Sequence, residues 1–322
     1  MRAPAFWYRN DAVSALLAPA GWLWGVGAGM RASRSPRHRS PVPVVCVGNL
    51  SAGGAGKTPV AESIARLIPG AHFLSKGYGG HEDGPMRVEP SRHSYTQVGD
   101  EPLLLAEIAP TWIAKDRVAG AEAAAAAGAS CLVMDDGFQD PSLEKDLSIL
   151  VVDGAVGFGN ERCIPAGPLR EPIDQGLKRA DAVVLLGEDK HNLAARFAHK
   201  PVLRAWLEPE AEATVLTGRK VVAFAGIGRP AKFFHTLDGL GAHVVEAYAF
   251  PDHYPFHPNE ISELQVAAKN HNAFLVTTAK DFVRVPTNMR DQIGVVQMDV
   301  AWDNEATLMG VLEPVLGDRP RL

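Results

Sequence analysis

The sequence predicts an α/β fold: a mostly parallel sheet with helices on its faces, a second, smaller α/β domain after it, and an apolar helix at the N-terminus. Three observations predict it. Short runs of β-branched and other apolar residues, at 42–47, 72–75, 112–114, 131–134, 147–152 and 182–186, alternate with polar loops and helical patterns, as parallel strands buried on both faces do. A glycine-rich turn joins the first of these runs to the helical pattern at 60–68. The alternation begins again near residue 220, after a polar stretch. The 322 residues suffice for two domains, and 46% hydrophobic residues supply their cores. A formal net charge of -5 excludes a broad basic footprint, so no nucleic-acid partner is expected. Cys46, Cys131 and Cys163 are far apart with no C-x-x-C, which argues for reduced thiols in a cytosolic setting and against a zinc site.

Taken in order, residues 1–40 form a separate segment. Residues 12–30 carry no charge and contain Leu16, Leu17, Trp22, Leu23 and Trp24. Their length would allow a membrane span, but Pro19, Gly21, Gly25, Gly27 and Gly29 weaken both helix propensity and hydrophobicity. The tryptophans suit the headgroup boundary. Arg31, Arg34, Arg37, His38 and Arg39 suit anionic lipid on the cytoplasmic side. The reading is a membrane-associated helix lying in the interface, with a spanning helix and an ordinary docked helix as alternatives.

Residues 51–59 read S-A-G-G-A-G-K-T-P, and the rest of the chain is organised around them. Strand, glycine-rich loop, Lys-Thr and helix is the order of a P-loop, with Ser51 where the usual pattern has its first glycine. Gly53, Gly54 and Gly56 allow backbone N–H groups to turn toward phosphates, and Ser51 and Ala55 complete the loop. The next helix presents unpaired N–H groups and the positive end of its dipole. Lys57 reaches the β- and γ-phosphates, and the Thr58 hydroxyl ligates Mg²⁺. This makes residues 41–200 a P-loop NTPase-like nucleotide-binding domain for ATP.

The second strand leads into K-G-Y-G-G (76–80), either a plain turn or a loop that touches phosphate or substrate. Asp100, in Q-V-G-D-E-P (97–102), is either a helix N-cap or a carboxylate at the mouth of the site. The strand at 131–134 closes with D-D-G-F-Q, the shape of a Walker B strand whose Asp135 holds Mg²⁺ beside Thr58. Asp136 next to it is costly unless a cation or hydrogen bonds offset the repulsion. The run 163–172, C-I-P-A-G-P-L-R-E-P, is a loop stiffened by three prolines with Arg170 and Glu171 at its charged tip. Ligands sit at the C-terminal ends of parallel strands, where Ser51, Lys76, Asp135 and Asp153 fall. Residues 202–207 and 213–216 are expected to pair as a two-stranded linker over 201–219. Residues 220–322 then form the smaller domain, with strands at 221–225, 243–249, 274–277 and 295–300 and helices at 231–240, 258–269 and 305–316.

N-L-S-A-G-G-A-G-K-T-P (49–59), G-Y-G-G, V-G-D-E-P, M-D-D-G-F-Q, P-A-G-P-L-R-E-P, F-A-G-I-G-R-P, F-P-D-H-Y-P-F and T-T-A-K-D occur in that order. Together they resemble the tetraacyldisaccharide 4′-kinase family of the lipid A pathway, from the N-terminal apolar segment to at least Asp281. The resemblance implies transfer of the ATP γ-phosphate to the 4′-hydroxyl of an acylated glucosamine disaccharide 1-phosphate. It also implies a membrane-associated helix, two α/β domains with the active site in the cleft between them, a monomer, and work at the cytoplasmic face of the inner membrane. It assigns Lys57 and Thr58 to nucleotide and Mg²⁺, and Asp135, Asp136 and Glu171 to the metal and phosphate shell. Asp100 is then the base for the acceptor hydroxyl and His253 its partner, while Lys76, Tyr78 and Arg170 fall on substrate or nucleotide positions. Lys76 departs from the arginine expected in many relatives and gives up the bidentate fork on phosphate.

Two other classes compete. A membrane ATPase switch of the partitioning type carries a signature lysine before the glycine pair, where this chain has Ala52. A non-catalytic nucleotide-binding adaptor has no use for Asp100 together with Asp135 and Asp136.

Overall fold

The computed structural model describes residues 4–34 and 38–316, so Arg37 of the basic cluster lies outside the described residues. The chain divides into two compact units. The larger runs through Leu207 and resumes at Val300, and the smaller is Glu208–Asp299.

The larger unit contains, in order, α1 (Ala12–Ala32), β1 (Val44–Gly48), α2 (Lys57–Leu67), β2 (Ala71–Ser75), β3 (Met86–Arg87), α3 (Tyr95–Val98), α4 (Asp100–Ile108), β4 (Thr111–Ile113), α5 (Arg117–Ala126) and β5 (Cys131–Asp135). There follow β6 (Leu147–Asp153), α6 (Ile173–Arg179), β7 (Ala182–Leu186), α7 (Leu193–Arg196) and β8 (Val202–Pro209). Among the described residues these strands, closed by a last one from the chain's end, make a nine-stranded sheet. β1 lies inside it, parallel to β5 on one side and to β6 on the other. Every residue of β1, β5 and β6 is buried, which explains why they read as unbroken apolar runs. α2 covers one face through Val60, Ala61, Ile64 and Ala65, against Val45, Val47, Val133 and Ile149. The order of neighbours reverses at β1, so the loop leaving it opens into the crevice where such sheets bind ligands.

α1 is helical throughout despite Pro19. Asp11 caps it: the carboxylate accepts the Ser14 N–H at 2.9 Å, and the Asp11 N–H donates to Ser14 Oγ at 3.0 Å. Its buried residues are Ser14, Gly21, Gly25, Gly29 and Ala32, whereas Leu16 is 82% exposed, Trp22 68% and Leu23 65%. Three of the glycines that count against the helix by propensity, Gly21, Gly25 and Gly29, are the face by which it docks. Docking and a large outward apolar surface therefore coexist, and α1 is long and apolar enough to cross a membrane by length and composition.

The smaller unit contains β9 (Lys220–Ala225), α8 (Pro230–Gly239), β10 (His243–Ala249), α9 (Pro258–Asn270), β11 (Phe274–Thr278), α10 (Ala279–Phe282) and β12 (Ile293–Val296). Its sheet has the order β10-β9-β11-β12, with all pairs parallel and an apolar cluster on each face. The buried ion pair of Asp281 and Arg284 ties two loops together at the strands' C-terminal ends. Asp281 accepts the Gly226 N–H at 2.9 Å and Arg284 donates to the Gly226 carbonyl at 3.0 Å.

Three expectations are corrected. Residues 202–219 are not a two-stranded linker. Val202–Pro209 continues the large sheet in parallel register on β7, and 211–216 is a 3₁₀ helix. Leu203 and Ala205 turn into the core while Arg204 and Trp206 turn out, so the segment had its partner in the sheet already built. The run 295–300 is not one strand. It breaks at Gln297 into β12, in the small sheet, and β13 (Met298–Trp302), which pairs with β8 at the edge of the large one. The closing helix, α11 (Glu305–Leu316), belongs to the larger unit, because Leu308, Leu312 and Val315 complete the core around Val45 and Ile149.

Candidate active site

The loop between β1 and α2 is shaped by two constraints. Gly56 adopts a φ of 80° as the N-cap of α2, and a Cβ there would stand 2.3 Å from the Leu186 side chain, so any other residue would be strained and crowded. Behind the loop the Asn49 amide donates to the Ser51 carbonyl at 2.9 Å. The loop is also braced from outside. Ala52 N–H donates to the Pro168 carbonyl at 2.7 Å, and Arg170 N–H to the Leu50 carbonyl at 2.7 Å. The proline-stiffened segment 163–172 is therefore laid directly along the entry to the glycine-rich loop.

Parallel pairing of β1 with β5 puts Val47 opposite Asp135, which brings the two strand ends side by side. Thr58 Oγ1 donates to Asp135 Oδ2 at 2.9 Å. The other oxygen, Oδ1, is buried without a hydrogen-bond partner. Burial, then the charge of Glu101, pushes the Asp135 carboxyl up to about 7 against the pull of Lys57. Asp136 behaves oppositely. Burial raises it, but Lys57 and then Arg170 outweigh burial and hold it below the ordinary carboxylate value. Lys57 Nζ lies 3.8 Å from Asp136 Oδ1, and one Arg170 nitrogen donates to both Asp136 oxygens, at 2.9 and 3.0 Å. Asp136 has a φ of 57°, a region open to Asp where its short side chain finds partners. Arg117, buried beneath it, donates to its carbonyl at 3.3 Å.

Lys76 reaches Asp140 at 2.7 Å, and Arg117 Nε stands 3.3 Å from the same carboxylate, linking the K-G-Y-G-G loop to the Asp136 turn. That loop also pairs with the segment before α4, through His81 N–H to the Thr96 carbonyl and Glu82 N–H to the Gln97 carbonyl. Lys76, Tyr78 and Asp100 are thus carried by adjoining backbone, with Tyr78 78% exposed. Asp100 is not the N-cap of α4. Gly99 is, and Asp100 is the buried first residue of the helix, its carboxylate accepting the Glu101 N–H. Glu171 is fully buried and faces inward. Arg179 donates to its two oxygens at 2.7 Å each, and Gln139 donates to it at 3.0 Å. His253 belongs to the smaller unit. Its backbone has a φ of 58°, its N–H donates to the Gly226 carbonyl, and its Nε2 lies 3.4 Å from Lys280 Nζ.

Sequence reasoning passed over Glu101, Arg117, Asp140 and Arg179. Glu101 sits within Q-V-G-D-E-P, but nothing local marks Arg117, Asp140 or Arg179 as the partner of a site residue. Gln139, the last letter of D-D-G-F-Q, was available, and it joins the Asn49 carbonyl to Glu171. The assembled groups suit phosphoryl chemistry: two cations, Lys57 and Arg170, converge on Asp136 at the end of a glycine-rich loop, beside a carboxylate with an open oxygen.

A family model described as "Tetraacyldisaccharide-1-P 4'-kinase" matches residues 13–316. A tetraacyldisaccharide 4′-kinase from Rhodospirillum centenum is 53% identical, over 99% of this chain and 98% of that one. One from Paramagnetospirillum magneticum is 50% identical, over 98% and 99%. Among solved structures, an "apo" form of LpxK from Aquifex aeolicus in complex with ATP is similar, with a TM-score of 0.78 and 29% identity, covering 95% of this chain and 100% of that one.

Proposed function

The chain belongs to the tetraacyldisaccharide-1-phosphate 4′-kinase family, and from that premise we infer how its residues carry the reaction. It is an ATP-dependent kinase of lipid A biosynthesis that phosphorylates the 4′-hydroxyl of a tetraacylated disaccharide 1-phosphate. The observation that carries the residue assignment is the convergence of Thr58, Asp135, Lys57, Asp136 and Arg170 at the end of the glycine-rich loop.

We assign the β- and γ-phosphates to the N–H groups of Gly53, Gly54, Ala55 and Gly56 and to Lys57, with Ser51 at the loop's entry. Mg²⁺ fits at Thr58 and Asp135. The orphaned Oδ1 and a carboxyl pushed up to about 7 both call for a hard cation, and few protein ligands are needed when phosphates supply the rest. When bound, Mg²⁺ supplies charge neutralisation at the transferring phosphoryl group. Asp136 holds Lys57 and Arg170 together, and Glu171, paired with Arg179, acts by fixing the segment that carries Arg170. Asp100 is assigned as the base that takes the 4′-hydroxyl proton and His253 as its helper. A sugar hydroxyl is a poor nucleophile until a base accepts its proton, which is the chemical support for that role. Lys76 and Tyr78 are assigned to the acceptor.

The exposed Leu16, Trp22 and Leu23 support an interfacial position for α1 at the cytoplasmic face of the inner membrane, where the acylated acceptor and ATP meet. The test is transfer of labelled γ-phosphate from ATP to a tetraacylated disaccharide 1-phosphate in detergent micelles. Label at the 4′ position is expected, and ATP hydrolysis unaffected by the acceptor would overturn the reading.

A further inference from the structure

α1 meets the rest of the larger unit along the segment that carries Arg170 and, nearer the helix's end, at Gln175 of α6, against which Gly29 packs. A Cβ on Gly21 would stand 2.6 Å from the Cys163 carbonyl oxygen, and one on Gly25 would stand 2.8 Å from Cys163 Sγ and 3.5 Å from Pro172. Trp24, next to Gly25 on the helix, donates its indole N–H to the Arg170 carbonyl at 3.1 Å. Trp7, just before the helix, donates to the Pro165 carbonyl at 3.1 Å. Asn160 donates to the carbonyls of Phe6 and Ala166 at 3.0 and 2.9 Å, joining the two segments again. The Arg170 backbone is consequently held from both sides: its N–H by Leu50 at the mouth of the glycine-rich loop, its C=O by Trp24. Its side chain is the one that grips Asp136.

We propose that Trp24 is a positioning residue for phosphoryl transfer: through the Arg170 carbonyl it sets the Arg170–Asp136 contact, and so ties the orientation of the lipid-facing helix to the nucleotide site. Trp24 is 53% exposed, so core burial does not account for it. Its ring faces outward with Trp22 and Leu23 while its single donor faces inward. A change in how α1 sits reaches Arg170 through one hydrogen bond and a glycine-lined contact with no slack. The proposal rests on the kinase reading and on Arg170 serving the phosphates.

The test uses the full chain. Trp24→Phe keeps the apolar ring and removes the donor. kcat is expected to fall about 5–10-fold, the loss of roughly one hydrogen bond's worth of positioning. KM for the micellar acceptor and flotation with phosphatidylethanolamine–phosphatidylglycerol vesicles should stay unchanged. Affinity for Mg·ATP by calorimetry should weaken several-fold. Gly25→Ala should do the same by pressing on Cys163, and adding Cys163→Ala should restore both readouts. Unchanged kcat and Mg·ATP affinity in Trp24→Phe would overturn the proposal, as would a loss confined to vesicle binding or acceptor KM. The Mg·ATP measurement decides it even if the wild-type chain transfers no phosphate to this acceptor, which would instead sink the kinase reading.

Discussion

Two neighbouring carboxylates, Asp135 and Asp136, are driven in opposite directions by what surrounds them. Lys57 pulls on both, but only Asp136 has Arg170 as well, whereas at Asp135 burial and the charge of Glu101 win, although the two residues are consecutive. The consequence for Asp135 can be signed. Its folded pKa is raised to about 7 from the ordinary 3.8, so without metal the folded state favours the protonated acid. Metal-free protein should lose stability as pH rises from about 3.8 to about 7, because the buried charge is then forced on it. Added Mg²⁺ should restore that stability, and its binding should strengthen through the same window while releasing protons. Calorimetric titration in buffers of different ionisation enthalpy measures that release, and Asp135→Asn should abolish it. Lys57 makes a simpler prediction. Lys57→Ala should lower turnover by about 10²–10³-fold, the range seen when one preorganised group at a developing charge is removed. A melting temperature near wild type would place that loss in the chemistry.

At the scale of elements, α1 divides its labour between faces that the amino-acid pattern does not distinguish by polarity. Both faces are apolar. What separates them is side-chain size, small residues inward and large ones outward. The two faces should respond differently to substitution. Replacing Leu16 and Leu23 with Gln should weaken flotation with vesicles and raise KM for the micellar acceptor while leaving the melting temperature nearly unchanged, since neither side chain packs on the fold. Enlarging Gly21 should destabilise instead, because the Cys163 backbone is in its way. Equal effects from both faces would show that the helix is held by bulk hydrophobicity alone. The segment 163–172 is the counterpart of α1. Its prolines stiffen a chain that must brace the glycine-rich loop on one side and take the helix on the other.

For the whole molecule, the chain leaves the larger unit at Leu207 and returns at Val300, so the smaller unit is an insertion between β8 and β13. Asp100 belongs to the larger unit and His253 to the smaller. If they act on the acceptor hydroxyl as one device, Asp100→Ala and His253→Ala should each lower kcat far more than they raise KM for ATP. The double mutant should then cost less than the sum of the two free-energy losses. Strict additivity in the rate measurements would mean that Asp100 works alone and that His253 has a separate role.

The parts of this protein legible in its sequence were those written in contiguous residues. The glycine-rich loop, the D-D turn and most strands belong here, because backbone conformation and strand burial are dictated by neighbours in sequence. His243–Ala249 matched residue for residue. Sequence pattern could also say that 202–207, 295–300 and 305–316 were structured, but not which sheet each would join. An apolar stripe carries no address, and only the completed core around Val45 and Ile149 had room for Leu308 and Leu312. The same holds for the site. Thr58 meets Asp135 across 77 residues, and Arg170 meets Asp136 across 34. Local sequence made each member recognisable as chemistry-bearing, while Arg117, Arg179 and Trp24 carry no local mark of their roles. Their partners are carbonyls and carboxylates brought within reach by strand order, and hydrogen bonds of that kind are decided by where the fold leaves a buried polar group to be satisfied.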